Sequence, residues 1–198
     1  MSVSAHTPDA GRAQGEGLGL VRALARPDAI VASGWPGLPT DVLLSGLRNH
    51  EVAEAWAAEV RRGPLPQQVP EGTWRLELCS DRPLHPGRLN ERVEVLGSHQ
   101  HRARGCFWLA SRPGEVCVWD GAGGHLSIGA VGPWRPSESP LTRIVVTGLR
   151  GAQTDPELLR EAFEACLLTG AELAERGPYW EVASDGLEPW LGSIRHAA

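Results

Sequence analysis

Two histidines separated by one residue, His99 and His101, are the strongest metal-ligating candidates in the sequence. In an extended chain, alternate side chains project from the same side, so both imidazoles could face one ion. A zinc ion takes four ligands, and the fold would have to bring in His85, His125 or Cys106 to complete the set. The alternative is a solvated loop that enters a strand. The sequence therefore predicts no bound cofactor, with zinc at His99 and His101 as the alternative.

Two arginines follow directly, and Arg102 and Arg104 alternate with the small residues Ala103 and Gly105. A planar guanidinium can bind a carboxylate or a phosphate through two parallel hydrogen bonds, which suits contact with a partner protein. The alternative is that both arginines are strand-edge charges that discourage aggregation.

The chain contains eight tryptophans, and two of them, Trp108 and Trp119, fall within runs that predict strands. Protein interfaces favour tryptophan. We therefore take these two rings, together with Arg102 and Arg104, as candidate interaction residues. The alternative is that the tryptophans in strands fill the core.

Every one of the 19 basic residues is an arginine, and the chain contains no lysine. A Walker A loop uses lysine to reach the nucleotide phosphates, and a Schiff-base enzyme uses it as the amine, so both mechanisms are excluded for this polypeptide. A nucleophile elbow is also missing, and we predict that the chain is not an enzyme. The net charge of −5 argues against a nucleic-acid partner.

Membrane and export signals are missing as well. No apolar run approaches the roughly 18 residues that span a bilayer, and the N-terminus lacks the apolar core of a signal peptide. These features predict a cytoplasmic location without a membrane partner. The four cysteines lie far apart, with no Cys-x-x-Cys pair, and are interpreted as reduced thiols that act mainly as small hydrophobic residues.

Three strands in succession account for most of the segment from Arg102 to Trp134. Their connections have the length of hairpin turns, which requires antiparallel pairing. A half-buried strand and a helix precede them, and a strand and a helix follow. The predicted ranges are strands at 74–80, 104–110, 115–120, 125–131 and 142–147, with helices at 86–97 and from Pro156 to a C-terminal glycine at Gly170.

This order predicts an α+β fold: a two-layer domain in which a mixed, mostly antiparallel sheet of four to five strands carries two main helices on one face. A small helical N-terminal segment precedes it. We divide the chain into a disordered leader at 1–17, a segment with a proline-rich linker at 18–70, and the domain itself at 71–198.

Five ordered motifs in this domain resemble one family. They are Pro83–Leu89, Arg102–Ala110, Gly123–Trp134, Thr142–Gly148 and Cys166–Thr169, and together they resemble the C-terminal domain of CobW-type GTPases, over about residues 73–169. Two positions depart from the family pattern, since Arg104 stands where lysine is usual and Gly87 where glutamate is common. Residues 19–48 resemble, more faintly, the end of the GTPase domain that precedes this module, so that 18–70 is remnant-like.

The resemblance implies a metallochaperone family that uses GTP and acts in zinc or cobalt homeostasis. The family's P-loop, Cys-x-Cys-Cys motif and guanine-recognition lysine are not in this sequence. We therefore expect a non-catalytic protein-interaction module, accessory to metal homeostasis, whose partner is a separate GTPase, a metal-receiving client or a second copy. The alternatives are a small protein that binds metal directly through His99 and His101, or a degenerate relic of a CobW-type GTPase.

Overall fold

The computed structural model describes residues 8–25, 29–32, 40–41, 51, 63, 65 and 68–194. The first element, α1, spans Pro8–Leu24. This helix begins ten residues before the predicted segment 18–70, so residues 8–17 are helical where the sequence suggested disorder. Most of the segment 26–67 lies outside the described residues, and the division of the chain into domains stays a prediction.

Five strands form one open sheet, in the order β1-β5-β2-β3-β4, with every neighbouring pair antiparallel. The predicted α+β class is confirmed, with a sheet that is antiparallel throughout. The strands are β1 (Thr73–Ser80), β2 (His101–Leu109), β3 (Arg112–Ala122), β4 (His125–Pro133) and β5 (Thr142–Leu149). The helices after β1 are α2 (Pro86–Gly97), α3 (Pro156–Cys166), α4 (Gly170–Arg176) and α5 (Glu188–Leu191).

Both main helices begin with a proline in the first turn, as the sequence predicts, and in the structure a side chain caps each of them. The Asp155 carboxylate accepts the Glu157 N–H at 2.9 Å at the start of α3. The imidazole Nδ1 of His85 accepts the Arg88 N–H at 3.3 Å at the start of α2. These bonds satisfy backbone donors that a helix end leaves unpaired.

The end of α3 differs from the prediction that it runs to Gly170. The helix stops at Cys166 because the next residues are drawn into extended pairing, in which the Leu168 N–H donates to the Pro83 carbonyl at 3.0 Å. Gly170 instead opens α4, which Thr169 caps. Thr169 and Glu172 form a reciprocal capping box there.

The main core lies between one sheet face and the helices α2 and α3. It contains Leu76 and Leu78 of β1, as the alternation of that strand predicts, and both side chains are buried. Other members are Phe107, Trp119, Ile144, Val146, Leu89, Leu96, Leu159 and Phe163. One backbone approach is unusually close: a Cβ at Gly105 would lie 1.9 Å from the Arg143 carbonyl oxygen, so β2 and β5 can pair this way only around a glycine.

Candidate functional site

The sheet face that points away from α2 and α3, here called the outer face, carries the candidate arginines. Directly paired residues of neighbouring strands share a face. One row across all five strands therefore places five residues side by side on the outer face: Glu77, Val145, Arg104, Asp120 and Ser127. The charged side chains of this face are thus positioned by strand register.

Arg104 connects the sheet to the N-terminal helix. Its guanidinium Nη2 lies 3.5 Å from the carbonyl oxygen of Leu24, the last residue of α1. A cation is favoured at this end of a helix, where carbonyl groups lack intrahelical partners. Burial lowers the pKa of Arg104, and the neighbouring charge of Arg102 lowers that pKa further, against the opposing effect of Asp120. Arg104 is therefore a contact between the domain and the segment that precedes it.

Arg102 is engaged within the sheet. It forms a two-pronged ion pair with Asp120 across β2 and β3, with Nη1–Oδ1 and Nη2–Oδ2 distances of 2.5 and 3.1 Å. Nη1 also donates to the Gly121 carbonyl at 2.8 Å. Asp120 is nevertheless half exposed, with 52% of its side chain accessible, so solvent reaches its carboxylate within the ion pair.

Helix α1 divides the outer face into two parts. It packs against β1 and β5, where Gly19 is buried and a Cβ on it would lie 2.9 Å from the Glu71 carbonyl oxygen. On β3 and β4, by contrast, Asp120 and Ser127 are exposed, and Val118 is half-buried. We call the part formed by Arg102, Val118, Asp120 and Ser127 the open half.

The two candidate tryptophans are buried. Trp119 is 1% exposed and packs in the main core, with its ring 6.1 Å from that of Phe107 in an edge-on arrangement. Trp108 is 5% exposed, and its ring lies 6.3 Å from that of Tyr179. Neither ring offers surface to a partner, so the core interpretation replaces the interface one for both. The reason is strand register, which turns Trp119 toward the helices.

The histidine pair stands where the chain enters β2. His99 is exposed and His101 is buried, and their ring centroids are 6.0 Å apart. Within the described residues, no group of three or more His, Cys, Asp or Glu side chains is arranged to hold a metal ion. The other suggested ligands, His85, His125 and Cys106, therefore do not complete a site with this pair.

The sequence did not predict two polar clusters that attach the C-terminal segment of the chain, after α3, to the rest of the domain. In the first, Arg88 of α2 binds Glu172 of α4 through both guanidinium nitrogens and also donates to the Leu167 carbonyl. The Thr-x-x-Glu pattern at 169–172 was the available signal, since it is typical of a capping box. It gave no indication of the arginine 84 residues away.

The second cluster is a buried ion pair between Arg112 and Asp185, whose side chains are 1% and 0% exposed. Arg112 donates to the carboxylate through Nε at 2.8 Å, and Ser111 donates to it at 2.7 Å. Burial by itself would raise the pKa of Asp185, but hydrogen bonds from Arg112 and Ser111 outweigh it and hold that pKa below its ordinary value. The pair fastens the segment before α5 to the β2–β3 turn.

Residues 74–167 match the family model described as the cobalamin synthesis protein cobW C-terminal domain. That range begins in β1 and ends just after α3, so it covers the whole sheet and both main helices. The chain carries a CobW C-terminal domain. The resemblance of its motifs to this domain is therefore confirmed.

Curated relatives match a shorter stretch. Over 59 residues the chain is 41% identical to the zinc chaperone Rv0106 of Mycobacterium tuberculosis and to the uncharacterized protein Mb0109 of Mycobacterium bovis. The match covers 30% of this chain and 15% of each relative, so the chain shares only a small part of their length.

Two solved structures are also similar, and both are titled as YjiA GTPase with bound Zn(II). One is from E. coli and the other is a triple mutant. Each is 17% identical, with TM-scores of 0.41 and 0.42, and the alignment covers 70% of this chain and 35% of the other.

No helix in the described part of the chain is long and apolar enough to cross a bilayer.

Proposed function

We propose that this CobW C-terminal domain is a non-catalytic docking module that acts in metal homeostasis by contacting the GTPase domain of a CobW-type protein, in its own or another chain. The observation that carries the proposal is the outer face of the sheet, where the Arg104 guanidinium lies 3.5 Å from the Leu24 carbonyl oxygen at the end of α1. The metal connection rests on the domain family and on the relative named a zinc chaperone.

The position of α1 supports this choice of partner. Residues 19–48 resemble the end of a GTPase domain, and α1 includes the first of them. The contact from Arg104 to Leu24, and the close approach of Gly19 to Glu71, therefore join the CobW C-terminal domain to a GTPase-like segment. A complete GTPase domain would extend this contact across the open half.

The chemistry of the open half suits a specific protein contact. Asp120 presents a carboxylate held in place by Arg102, and it lies beside Ser127 and Val118. Charges fixed by neighbours contribute to partner selection because they lose little freedom on binding. A basic patch next to an apolar one is the complementary surface expected on the partner.

Binding should be measured with a purified CobW-type GTPase domain from the same organism, loaded with zinc and a GTP analogue. We expect saturable binding by biolayer interferometry. Ser127→Arg, which adds bulk in the open half, should weaken the affinity at least about tenfold, or about 1.4 kcal/mol. Arg160→Glu on α3, in the opposite layer, is the matched control and should bind as the parent does.

Two results would contradict the proposal. One is the lack of any binding by the parent chain, and the other is equal binding by the Ser127→Arg variant. The non-catalytic part has its own test, because the chain supplies no lysine for nucleotide phosphates. Isothermal titration with GTP should give no binding heat, and micromolar affinity would overturn this part.

A further inference from the structure

Strand β4 forms one edge of the sheet and is paired on one side only, with β3. Among the described residues, no backbone group of β4 hydrogen-bonds to anything outside this pairing. Natural proteins protect an edge strand with charged side chains, proline or a bulge, because its free N–H and C=O groups can pair with another chain. From His125 to Ala130, before its bulge, β4 contains no arginine, aspartate, glutamate or proline. This part of the edge is therefore unprotected.

The turn before β4 determines which of its backbone groups are free. Gly123 and Gly124 have positive φ values of 55° and 88°, as in the two-residue type I′ turn of a hairpin. The residues that flank such a turn, Ala122 and His125, exchange both hydrogen bonds, and bonded and non-bonded pairs then alternate along the ladder. Three alternate residues therefore direct their N–H and C=O groups away from β3: Leu126, Ile128 and Ala130.

These free backbone groups are complementary to a second copy of the same strand. If two copies of β4 run antiparallel about a twofold axis at Ile128, that residue pairs with itself, and Leu126 pairs with Ala130 of the second copy. Each pair exchanges two hydrogen bonds, so every free group of the three residues finds a partner. The register also joins matching faces, because the side chains of Leu126 and Ile128 both pack toward the main core.

Charge and apolar surface at this edge suit a twofold contact. A charged residue near the axis would face its own copy, but β4 carries none, and the Asp120 carboxylate on β3 is already paired with Arg102. Val131, at the end of β4, is 58% exposed and lies opposite His125 of the second copy in this register. Trp190 of α5, a helix that packs against β4, is 38% exposed. Pairing of two copies would reduce the exposure of Val131 to water, which favours association.

We propose that this chain forms a twofold dimer through β4, in which two five-stranded sheets join into one continuous sheet. The occupant of the free edge is thus a second copy of the chain, and the contact is isologous. It uses backbone groups at the edge of the sheet, whereas the docking function uses side chains of the outer face. The inference therefore goes beyond the docking function and does not depend on it.

The test is sedimentation equilibrium of the full chain over a range of concentrations, without a GTPase domain. The parent chain should dimerise reversibly. Val131→Lys places a cation at the edge, beside His125 of the second copy, and should weaken the dimer at least about tenfold. Leu158→Lys is the matched control, because Leu158 is 57% exposed on α3, in the other layer, and gains the same charge. It should dimerise as the parent does.

A second readout locates the contact within the chain. Amide hydrogen exchange at Leu126, Ile128 and Ala130 should slow as the protein concentration rises, while exchange in α3 stays unchanged. Ala130→Pro removes one free N–H and no hydrogen bond to β3, so it should also weaken the dimer.

Three results would overturn the proposal. The first is a parent chain that stays monomeric up to about 1 mM, and the second is an edge variant, Val131→Lys or Ala130→Pro, that dimerises as tightly as the parent. The third is exchange at the three amides that does not change with concentration, which would place any self-association on another surface. Failure of docking to a GTPase domain would leave these measurements unchanged.

Discussion

Arg88 and Glu172 lie 84 residues apart and form a two-pronged ion pair, with N–O distances of 2.7 and 2.9 Å. Arg88 belongs to the motif that starts α2, and Glu172 belongs to the capping box of α4. Arg88 also donates to the Leu167 carbonyl at 2.9 Å. The pair thus ties α2 to α4, a helix that follows the residues matched by the CobW C-terminal domain.

Glu172 gives the stability of the domain a defined pH dependence. The hydrogen bonds from Arg88, with those from Thr169, lower the pKa of Glu172 from its ordinary value to about 2. A carboxylate with a lowered pKa in the folded state stabilises the fold above its unfolded pKa, and this contribution is lost as the pH falls toward the folded pKa.

We therefore expect Glu172→Gln to lower the free energy of unfolding at pH 7 by about 1 kcal/mol. This figure is smaller than the pKa shift implies, because a quarter of each side chain is exposed to screening solvent. In urea denaturation, the difference between parent and variant should shrink between pH 5 and pH 2. A difference in the free energy of unfolding that is constant over this pH range would contradict the lowered pKa of Glu172.

The Arg112–Asp185 pair predicts a larger effect because it is fully buried. Asp185→Ala leaves the Arg112 guanidinium without its carboxylate in the interior, which should cost about 3–5 kcal/mol. Glu91→Ala, at an exposed ion pair with Arg92, is the control and should change stability by less than about 0.5 kcal/mol. The double variant Arg112→Met/Asp185→Leu should recover part of the loss. Equal losses for the buried and the exposed pair would show that Arg112 and Asp185 are not paired in solution.

The contact of β2 with β5 predicts a sharp difference between two glycines. Gly105→Ala would place a methyl group 1.9 Å from the Arg143 carbonyl oxygen, and the backbone must move to accept it. We expect a loss of about 3 kcal/mol in thermal or chemical unfolding. Gly114→Ala, where nothing lies within 4 Å of the added carbon, should be close to neutral. A neutral Gly105→Ala would contradict the register of β2 and β5.

The cysteines should differ in reactivity toward a thiol reagent. Cys79 is exposed, whereas Cys106, Cys117 and Cys166 are buried. Burial raises the pKa of Cys117 to about 12 and that of Cys166 to about 11, and only thiolates react. Native protein should therefore release one equivalent with Ellman's reagent, and Cys79→Ser should release none. The reaction of Cys79 should be slow, because the partial burial of its thiol and the charge of Glu77 raise its pKa as well.

Local patterns in the sequence predicted much of this fold. The alternation of β1 and the prolines that open α2 and α3 depend on neighbouring residues, and the structure has them as predicted. The end of α3 was not predictable in this way, because Leu168 leaves the helical path to pair with Pro83, 85 positions earlier in the chain. The partners of Arg88 and Arg112 were not predictable either, because both also lie far away along the chain.

The candidate site was predicted in part. The alternation in the Arg102–Gly105 segment placed Arg102 and Arg104 on one face, but it could not show that Arg102 binds Asp120 while Arg104 reaches α1. Trp108 and Trp119 could not be separated into surface and core from composition, because interfaces and cores both favour tryptophan. The burial of His101, whose Nε2 lies 3.3 Å from the Leu96 carbonyl oxygen, is likewise not revealed by the histidine spacing.

The docking role is tested most directly by backbone hydrogen exchange of this chain, alone and with the zinc- and nucleotide-loaded GTPase domain. Exchange should slow in the complex over 102–106 and 118–129, which carry the open half, and should stay unchanged in α3 at 156–166. Protection of α3 with no change in β2, β3 or β4 would place the contact on the helical layer and contradict docking through the open half.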